Sequence, residues 1–258
     1  MIKRMMVIGD VHLPWSNSKL LSKECTGLIP DIIEDLKLDK LIINGDLLDY
    51  YCVNSHGPKH PDIATTLQDE MDSGRIFFES LRKRFPDLEV TYIFGNHEDR
   101  LDRFILKNAK PFWNILTTEN HCRLDDHNIE YFHYNHEYQV ENTNLYVQHS
   151  PPSYGVNGAR TSMLAKLDRS YIYGCTHREQ KAAGTGASGE RYFVYFNGWL
   201  GSTTETAEHR RVFSYAKGHD NWQEAFSLVT VIDGQKYHVN QHSIVNNSAV
   251  VDGVLYRA

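Results

Sequence analysis

Polar side chains that can bind a metal ion follow five short apolar runs of this sequence, at the points where the runs end. The runs cover residues 5–8, 41–43, 90–94, 145–148 and 171–173, and the side chains that follow them are Asp10 with His12, Asp46, Asn96 with His97, His149 and His177. Short runs of apolar, β-branched and aromatic residues that stop at a glycine or polar residue are typical of buried strands. Ligands of open α/β sheets bind beyond the carboxyl ends of the strands. We therefore expect these side chains to meet at one edge of the fold.

The donor types indicate a transition-metal site. The donors are two carboxylates, one amide and three imidazoles: Asp10, Asp46, Asn96, His12, His149 and His177. Asp10 and His12 could serve one cation, and the two oxygens of Asp46 could bridge two cations. Mixed oxygen and nitrogen donors suit Mn²⁺, Fe or Zn²⁺ better than Mg²⁺ or Ca²⁺. Two such cations, about 3.5–4 Å apart, can clamp a phosphoryl group and activate a water molecule for in-line attack.

The elements around these runs predict an α/β fold. Helices are predicted at residues 30–37, 63–85, 99–107 and 158–167, and further strands at 129–132, 145–149, 169–174, 192–196 and 226–232. The βαβαβα order of the first half implies parallel strands with right-handed crossovers. We expect two packed mixed sheets with helices outside them, in a single domain over residues 1–258. We expect the segment of about 190–258 to complete the second sheet. Residues 184–189 are expected to form a flexible loop. Residues 239–258 show no pattern that predicts a helix or strand.

Composition restricts the partners and the compartment. The net charge is −6, which argues against strong non-specific duplex binding, although bound metal ions would add positive charge at the site. No apolar run is long enough to span a bilayer, so we expect no membrane partner. The four cysteines (Cys25, Cys52, Cys122 and Cys175) are scattered and form no CxxC pair, which favours a reducing cytoplasm. The sequence leaves the oligomeric state unknown.

The motifs together resemble the calcineurin-like metallophosphoesterases, including the small bacterial and phage phosphoesterases. The resemblance rests on five segments that occur in the family's order: Gly9-Asp10-Val11-His12, Gly45-Asp46-Leu47-Leu48-Asp49, Gly95-Asn96-His97-Glu98, His149 and Gly174-Cys175-Thr176-His177. It implies a four-layer α/β/β/α sandwich with a dinuclear site. It also implies a hydrolase that acts on ester bonds.

The resemblance assigns a role to each motif residue. It implies that Asp10, His12 and His177 hold the first metal ion, that Asp46 bridges, and that Asn96 and His149 hold the second. It implies that His97 is not a ligand. His97 would instead protonate the leaving oxygen or steady the transferring phosphoryl group, oriented by the carboxylate of Asp49. A carboxylate-paired imidazole stays protonated to higher pH. Asp49 could alternatively cap a local turn.

Cys175 departs from the family pattern, which has histidine at this position as a ligand of the second metal ion. A thiolate ligand would favour Zn²⁺. Two alternatives are that the thiol turns away and leaves the second ion weakly held, or that Cys175 is a buried cysteine with no role.

Three residues are candidates for substrate contact. Arg100 could grip a phosphate bidentately, and Arg178 directly follows His177. His56 lies in a proline- and glycine-containing loop after the bridging motif. Each is equally compatible with an ordinary surface role.

The leading hypothesis is a phosphodiesterase acting on a nucleotide or nucleic acid. The segment Gly45-Asp46-Leu47-Leu48-Asp49 is close to the nuclease branch of the family, and it lacks the Arg-Gly that follows in Ser/Thr protein phosphatases. A protein phosphatase or other phosphomonoesterase is the alternative, because Gly95-Asn96-His97-Glu98 is shared with that branch. A catalytically weak protein-binding scaffold is the alternative of a different class.

Overall fold

A computed structural model describes residues 1–54, 63–165, 168–214 and 221–258. The strands of these residues are β1 (Ile2–Ile8), β2 (Lys40–Asn44), β3 (Glu89–Ile93), β4 (Glu130–Phe132), β5 (Tyr138–Gln139), β6 (Leu145–Gln148), β7 (Ser170–Tyr173), β8 (Glu179–Thr185), β9 (Arg191–Asn197), β10 (Ala225–Ile232), β11 (Lys236–Ser243), β12 (Ser248–Val251) and β13 (Val254–Arg257). The α-helices are α1 (Leu28–Leu36), α2 (Leu67–Arg84), α3 (Asn96–Asn108), α4 (Trp113–Leu116), α5 (Thr118–His121), α6 (Gly158–Ala165) and α7 (Ala207–Val212).

The strands form two mixed sheets and one hairpin. The first sheet has the order β11-β10-β1-β2-β3-β4, and the second has the order β5-β6-β7-β9-β8. Strands β1 to β4 are parallel, as are β6, β7 and β9, while the outer strands β10, β11, β5 and β8 pair antiparallel. The predicted parallel first half is therefore confirmed. Strands β12 and β13 form a separate two-stranded sheet.

Alternate residues of the strands build two cores, because successive side chains point to opposite faces. In β1, Met5 and Val7 pack between the sheets against Val147 and Ile172 of the second sheet. Met6 and Ile8 face the other way, toward the helices on the outside of the first sheet.

On the far side, α6 packs Ala159 and Met163 against Tyr171 and Phe196 of the second sheet. Helices thus flank both sheets, and the predicted two-sheet α/β architecture is confirmed.

The four predicted helices are present with shifted ends. Helix α2 begins later than predicted because the Thr66 side chain caps it in a box with Asp69. Helix α3 begins earlier than predicted, at Asn96, so that candidate ligand lies in its first turn. Helix α6 ends at Ala165, and residues 166–167 of the prediction lie outside the described residues.

The placement of the C-terminal segment needs correction. Only β9 joins the second sheet, whereas β10 and β11 extend the first sheet beside β1. Strand β10 is apolar on both faces. Its Phe226 and Leu228 pack in the helix-side core, and Val229 and Val231 pack between the sheets. Both faces are buried because the first sheet lies between the helix layer and the second sheet.

The 184–189 segment also differs from the prediction. Gly184 and Thr185 pair with Tyr192 and Arg191 in the β8–β9 ladder, so the segment ends strand β8 and begins the turn of a hairpin.

No helix among the described residues is both long and apolar enough to cross a membrane.

Candidate metal centre

The predicted donors come together where the carboxyl ends of both sheets meet. Asp10 and His12 follow β1, Asp46 follows β2, and Asn96 opens α3 after β3. His149 follows β6, and Cys175 and His177 follow β7. Asp10, His12 and His149 have no exposed surface, and Asp46 is 1% exposed. Burial of so many ionisable groups requires strong mutual compensation or bound cations.

The first donor group consists of Asp10, His12 and His177. The Nε2 atoms of His12 and His177 are 3.0 Å apart, and His177 Nε2 lies 3.3 Å from Asp10 Oδ1. Two ring nitrogens that face each other beside a carboxylate can share one cation. His177 Nδ1 is buried without a hydrogen-bond partner among the described residues, so no second contact there competes for the orientation of this ring.

The second donor group surrounds the Nε2 atom of His149. This atom lies 3.2 Å from Asp46 Oδ2 and 3.1 Å from Asn96 Oδ1. The Cys175 thiol donates to the same Asn96 oxygen at 3.0 Å. Cys175 therefore points into this group and does not turn away from it. Burial raises the pKa of the Cys175 thiol, while the neighbouring His149 acts in the opposite direction.

Backbone and carboxylate acceptors fix the orientation of two of the imidazoles. His149 Nδ1 donates to the Asn44 carbonyl at 2.7 Å, and His12 Nδ1 donates to Asp49 Oδ2 at 2.9 Å. In both rings Nε2 is left facing the other donors. Such outer contacts select the tautomer and orientation of metal-binding histidines.

The bridging candidate Asp46 stays ionised in this setting. Burial alone would raise the pKa of its carboxyl, but the imidazoles, first that of His149 and then that of His97, hold it well below its usual value. Asp10 lies between the two groups, since its carboxylate also belongs to a set with Asp46 and His149 whose ligand atoms lie within 4.8 Å of one another.

The turns that carry the donors use left-handed backbone. Non-glycine residues with positive φ here are Asp10 (51°), His12 (57°), Asp46 (49°), Cys175 (65°) and His177 (55°). This conformation costs energy for residues other than glycine and clusters at functional sites, where the surrounding structure enforces it. Gly95 packs so closely against Asp46 that a side chain at this position would clash: its Cβ would lie 2.1 Å from Asp46 Oδ1.

Comparison with known proteins gives the family. A model of the calcineurin-like phosphoesterases matches residues 3–243, which is most of the chain. The chain belongs to the calcineurin-like phosphoesterase family. Family membership and the Asp/His donor groups together support a metal-dependent phosphoesterase. A search of curated proteins finds no match.

Asp49 lies beside both His12 and His97 in this calcineurin-like phosphoesterase. Its carboxylate bonds His12, whereas its Oδ2 is 3.6 Å from His97 Nδ1. His97 Nδ1 donates instead to the Asp49 backbone carbonyl at 2.8 Å. Asp49 thus orients His97 through its backbone carbonyl, and its carboxylate stays within ion-pair distance of the ring while it hydrogen-bonds His12. Burial lowers the pKa of His97 to about 4, against the opposing effect of the Asp46 carboxylate.

Arg100 lies in the centre, bonded to two of its residues. Its guanidinium donates to His97 Nε2 at 2.9 Å and to the Asp49 carbonyl at 3.2 Å. Arg178 instead donates to the Tyr154 carbonyl at 3.1 Å. His56 lies outside the described residues.

Glu98 is a functional residue that the sequence reasoning missed. Its Oε2 accepts from the backbone N–H groups of Asp46 (3.0 Å) and Gly95 (2.7 Å). Its Oε1 accepts from the Leu48 N–H (3.0 Å) and the Tyr92 hydroxyl (2.5 Å). Glu98 thereby ties the loop of the bridging Asp46 to the loop of Asn96. The signal for it is the helix-capping position three residues after Gly95.

An aromatic wall borders the first donor group. The indole of Trp199 stacks on His177 with ring centroids 5.1 Å apart, and Trp222 meets the same ring edge-on at 4.3 Å. Phe213 lies edge-on to His12 at 5.6 Å. These apolar rings lower the local dielectric, which strengthens electrostatic interactions inside the centre. No spacing pattern along the chain marks Trp199 or Phe213 as part of the site.

Proposed function

We propose that this chain is a dinuclear phosphoesterase that prefers phosphodiesters of a nucleotide or nucleic acid. The observation that carries the proposal is the pair of adjoining donor groups, one around His12 and His177 and one around His149. Asp10 belongs to both groups, and Asp46 adjoins Asp10 and His149. Asp10, His12 and His177 would hold one ion, Asn96, His149 and Cys175 the other, and Asp46 would bridge them.

The residues present fit two divalent transition-metal ions. Ring nitrogens 3.0 Å apart and a carboxylate form one group, and an imidazole, an amide oxygen and a thiol around a carboxylate form the other. Nitrogen and oxygen donors suit Mn²⁺, Fe and Zn²⁺, and the sulfur of Cys175 favours Zn²⁺ in the second position. Such ions, when bound, supply Lewis-acid polarisation of the phosphoryl group and activation of a water molecule.

The protein's own contribution is orientation and exclusion of water. The Asn44 carbonyl and the Asp49 carboxylate hold two imidazoles in place. Glu98 fixes the two loops that carry Asp46 and Asn96. Trp199 covers His177 on one face. We propose Arg100 and Arg178 as substrate contacts, with Arg100 supported by its bond to His97.

The preference for diesters is supported by the residue after Asp49. Ser/Thr protein phosphatases would have an arginine there as a phosphate grip, whereas this chain has Tyr50. The Tyr50 side chain is fully buried, and its hydroxyl bonds the Thr118 hydroxyl (2.9 Å) and His121 Nε2 (2.6 Å). This position therefore serves the core and offers no cation to a phosphomonoester dianion.

Turnover of two chromogenic esters tests the proposal. Bis-p-nitrophenyl phosphate and p-nitrophenyl phosphate would be compared with protein loaded with Mn²⁺ or Zn²⁺. We expect a higher kcat/KM for the diester. A strong preference for the monoester would reject the diesterase assignment. Absence of bound metal together with absence of hydrolysis would reject the enzyme in favour of a protein-binding scaffold.

We further propose one domain over residues 1–258 and a cytoplasmic location. The family match over residues 3–243 supports the first. All four cysteines are free, which supports a reducing compartment.

A further inference from the structure

The loop that follows β6 carries an exposed aromatic ring close to the second donor group. Residues 150–157 come directly after His149, and Tyr154 in this loop is 52% exposed. The Nη1 atom of Arg178 donates to the Tyr154 backbone carbonyl at 3.1 Å. Arg178 in turn directly follows His177. Tyr154 is therefore tied to segments that carry donors of both groups.

The surroundings of the Tyr154 hydroxyl place this side chain at the rim of the metal centre. Burial raises the pKa of the hydroxyl, and the Ser150 hydroxyl lowers it. Cys175 and His149 also act on this pKa, the thiol by raising it and the imidazole by lowering it. Such effects weaken with distance, so the hydroxyl lies near the second donor group. The next residue borders open space, since a Cβ on Gly155 would meet nothing within 4 Å.

The guanidinium of Arg178 has hydrogen-bond donors to spare. Its bond to the Tyr154 carbonyl uses one of five N–H groups and leaves four without a partner among the described residues. One of the four is on Nε, which is buried. A buried donor without an acceptor is unfavourable, so this side chain would be stabilised by a bound anion. Arg178 suits a phosphate group, because parallel N–H groups of a guanidinium can pair with two phosphate oxygens.

An exposed aromatic ring beside an unsaturated guanidinium matches the two halves of a nucleotide. A tyrosine ring can stack on any nucleobase, since every base has a π face. The faces of the bases in a duplex are covered by their neighbours, so only an unpaired nucleotide can stack on such a ring. The net charge of −6 likewise argues against strong duplex binding.

We propose that Tyr154 and Arg178 form a subsite for an unpaired nucleotide next to the scissile phosphate. The ring of Tyr154 stacks on the base, and Arg178 binds the phosphate on the far side of that nucleotide. This inference rests on the proposed phosphoesterase function and narrows its substrates to single-stranded oligonucleotides.

Three p-nitrophenyl esters separate the two contacts. Methyl p-nitrophenyl phosphate has neither a base nor a second phosphate. Thymidine 5′-(p-nitrophenyl phosphate) adds the base, and its 3′-phosphate derivative adds the second phosphate. The isomers with the 3′ and 5′ positions exchanged test the opposite chain direction. Values of kcat/KM and metal content per chain are measured with Mn²⁺ or Zn²⁺.

The variants remove one contact at a time. They are Tyr154→Ala, Tyr154→Phe and Arg178→Gln. The control for the loop is Val156→Ala, because Val156 is 72% exposed and lies two residues from Tyr154. The control for charge is Arg191→Gln, because Arg191 is exposed at the start of β9, at the end of the second sheet away from the metal centre.

We expect the base to raise the wild-type kcat/KM over that of the methyl ester by about 5–100-fold in at least one chain direction. The second phosphate should add about 10–100-fold, as for hydrogen bonds between charged groups. Tyr154→Ala should lose the first gain and keep the methyl ester rate, whereas Tyr154→Phe should keep both. Arg178→Gln should lose only the second gain. Both controls and all metal contents should match wild type.

Four results overturn the inference while wild type remains active. The first is equal wild-type turnover of the methyl ester and both thymidine esters. The second is an unchanged gain from the base in Tyr154→Ala, and the third is an unchanged gain from the second phosphate in Arg178→Gln. The fourth is an equal loss on the methyl ester, or a loss of bound metal, in Tyr154→Ala, which would make its role structural. If wild type hydrolyses none of the esters with Mn²⁺ or Zn²⁺, the proposed function itself fails, and this inference with it.

Discussion

Replacement of Glu98 by glutamine tests how the two ligand loops are held. The carboxylate accepts four hydrogen bonds, three of them from backbone N–H groups of Asp46, Leu48 and Gly95. An amide keeps one acceptor oxygen and presents an NH₂ group, which cannot accept. In the better of its two orientations the NH₂ faces Leu48 N–H and the Tyr92 hydroxyl. The hydroxyl can turn to accept, but the N–H is left buried and unpaired.

The expected cost follows from that single orphaned donor. A buried unsatisfied N–H costs about 1–3 kcal/mol, and hydrogen bonds to a charged acceptor are stronger than those to a neutral one. The change also has a stabilising effect, because it removes repulsion between the carboxylates of Glu98 and Asp46. Burial and this repulsion together raise the pKa of Glu98. We therefore expect the free energy of unfolding to fall by about 2 kcal/mol. For a chain of this size that lowers Tm by about 4–8 °C.

Thermal unfolding of the chelator-treated protein measures this effect without the contribution of bound metal. Glu79→Gln is the matched control, since Glu79 is on α2 with a 41% exposed side chain and an ion pair to Arg75. That pair should be worth less than about 1 kcal/mol. We also expect Glu98→Gln to weaken metal binding by about 10–100-fold. Wild-type Tm and wild-type metal affinity in Glu98→Gln would refute the argument that Glu98 ties the loops together.

Three further changes have defined outcomes. Gly95→Ala should abolish metal binding, because its Cβ would lie 2.1 Å from Asp46 Oδ1, whereas Gly155→Ala meets nothing within 4 Å and should bind metal as wild type does. Calorimetric titration of both variants checks this, and equal affinities would contradict it. Cys175→Ser should lower the affinity for Zn²⁺ more than that for Mn²⁺, since a thiolate is the softer ligand. An unchanged Zn²⁺/Mn²⁺ preference in competition dialysis would remove Cys175 from the ligand set. Asp102→Asn should flatten the dependence of stability on pH. Burial, with neighbouring carboxylates, raises the pKa of Asp102 from 3.8 to about 7, so its folded form favours the proton and wild-type stability is lost as pH rises from about 4 through 7. Urea unfolding at pH 5 and pH 8 should show a smaller difference for the variant, and an identical difference would show that Asp102 is not responsible.

The strand-end pattern predicted the donors because it depends on local chain order. Each apolar run ends at a metal-binding side chain, and parallel strands bring such ends to one edge whatever the details of packing. That is why Asp10, Asp46 and His149 could be placed together from the sequence alone.

The partners of the donors could not be predicted in this way. Asp49 carries the spacing of a residue that would orient His97, yet its carboxylate reaches His12. His12 and Asp46 also adopt left-handed backbone, which aims their side chains differently from those of a regular strand or helix. Spacing along the chain does not contain that information. Arg100 likewise has the pattern of an ordinary helix residue, and only its rotamer places it on His97.

Strands β8 and β11 were not predicted from the sequence for a different reason. Strand β11 is a run of mainly polar residues and buries only Val239 among its eight residues. Edge strand β8 is apolar at few positions and has no fully buried residue. Both are held by backbone pairing to β10 and β9, so they lack the alternating apolar signal on which strand prediction depends.

The most direct test of the central claim is metal content per chain by inductively coupled plasma mass spectrometry. Wild type and Asp46→Asn would be purified without chelator and dialysed against Mn²⁺ or Zn²⁺. Asp46 lies 3.2 Å from His149 Nε2 and shares a donor set with Asp10. We expect two transition-metal ions per wild-type chain and their loss in the variant. One ion or none in wild type, or equal metal content in both proteins, would contradict a dinuclear centre bridged by Asp46.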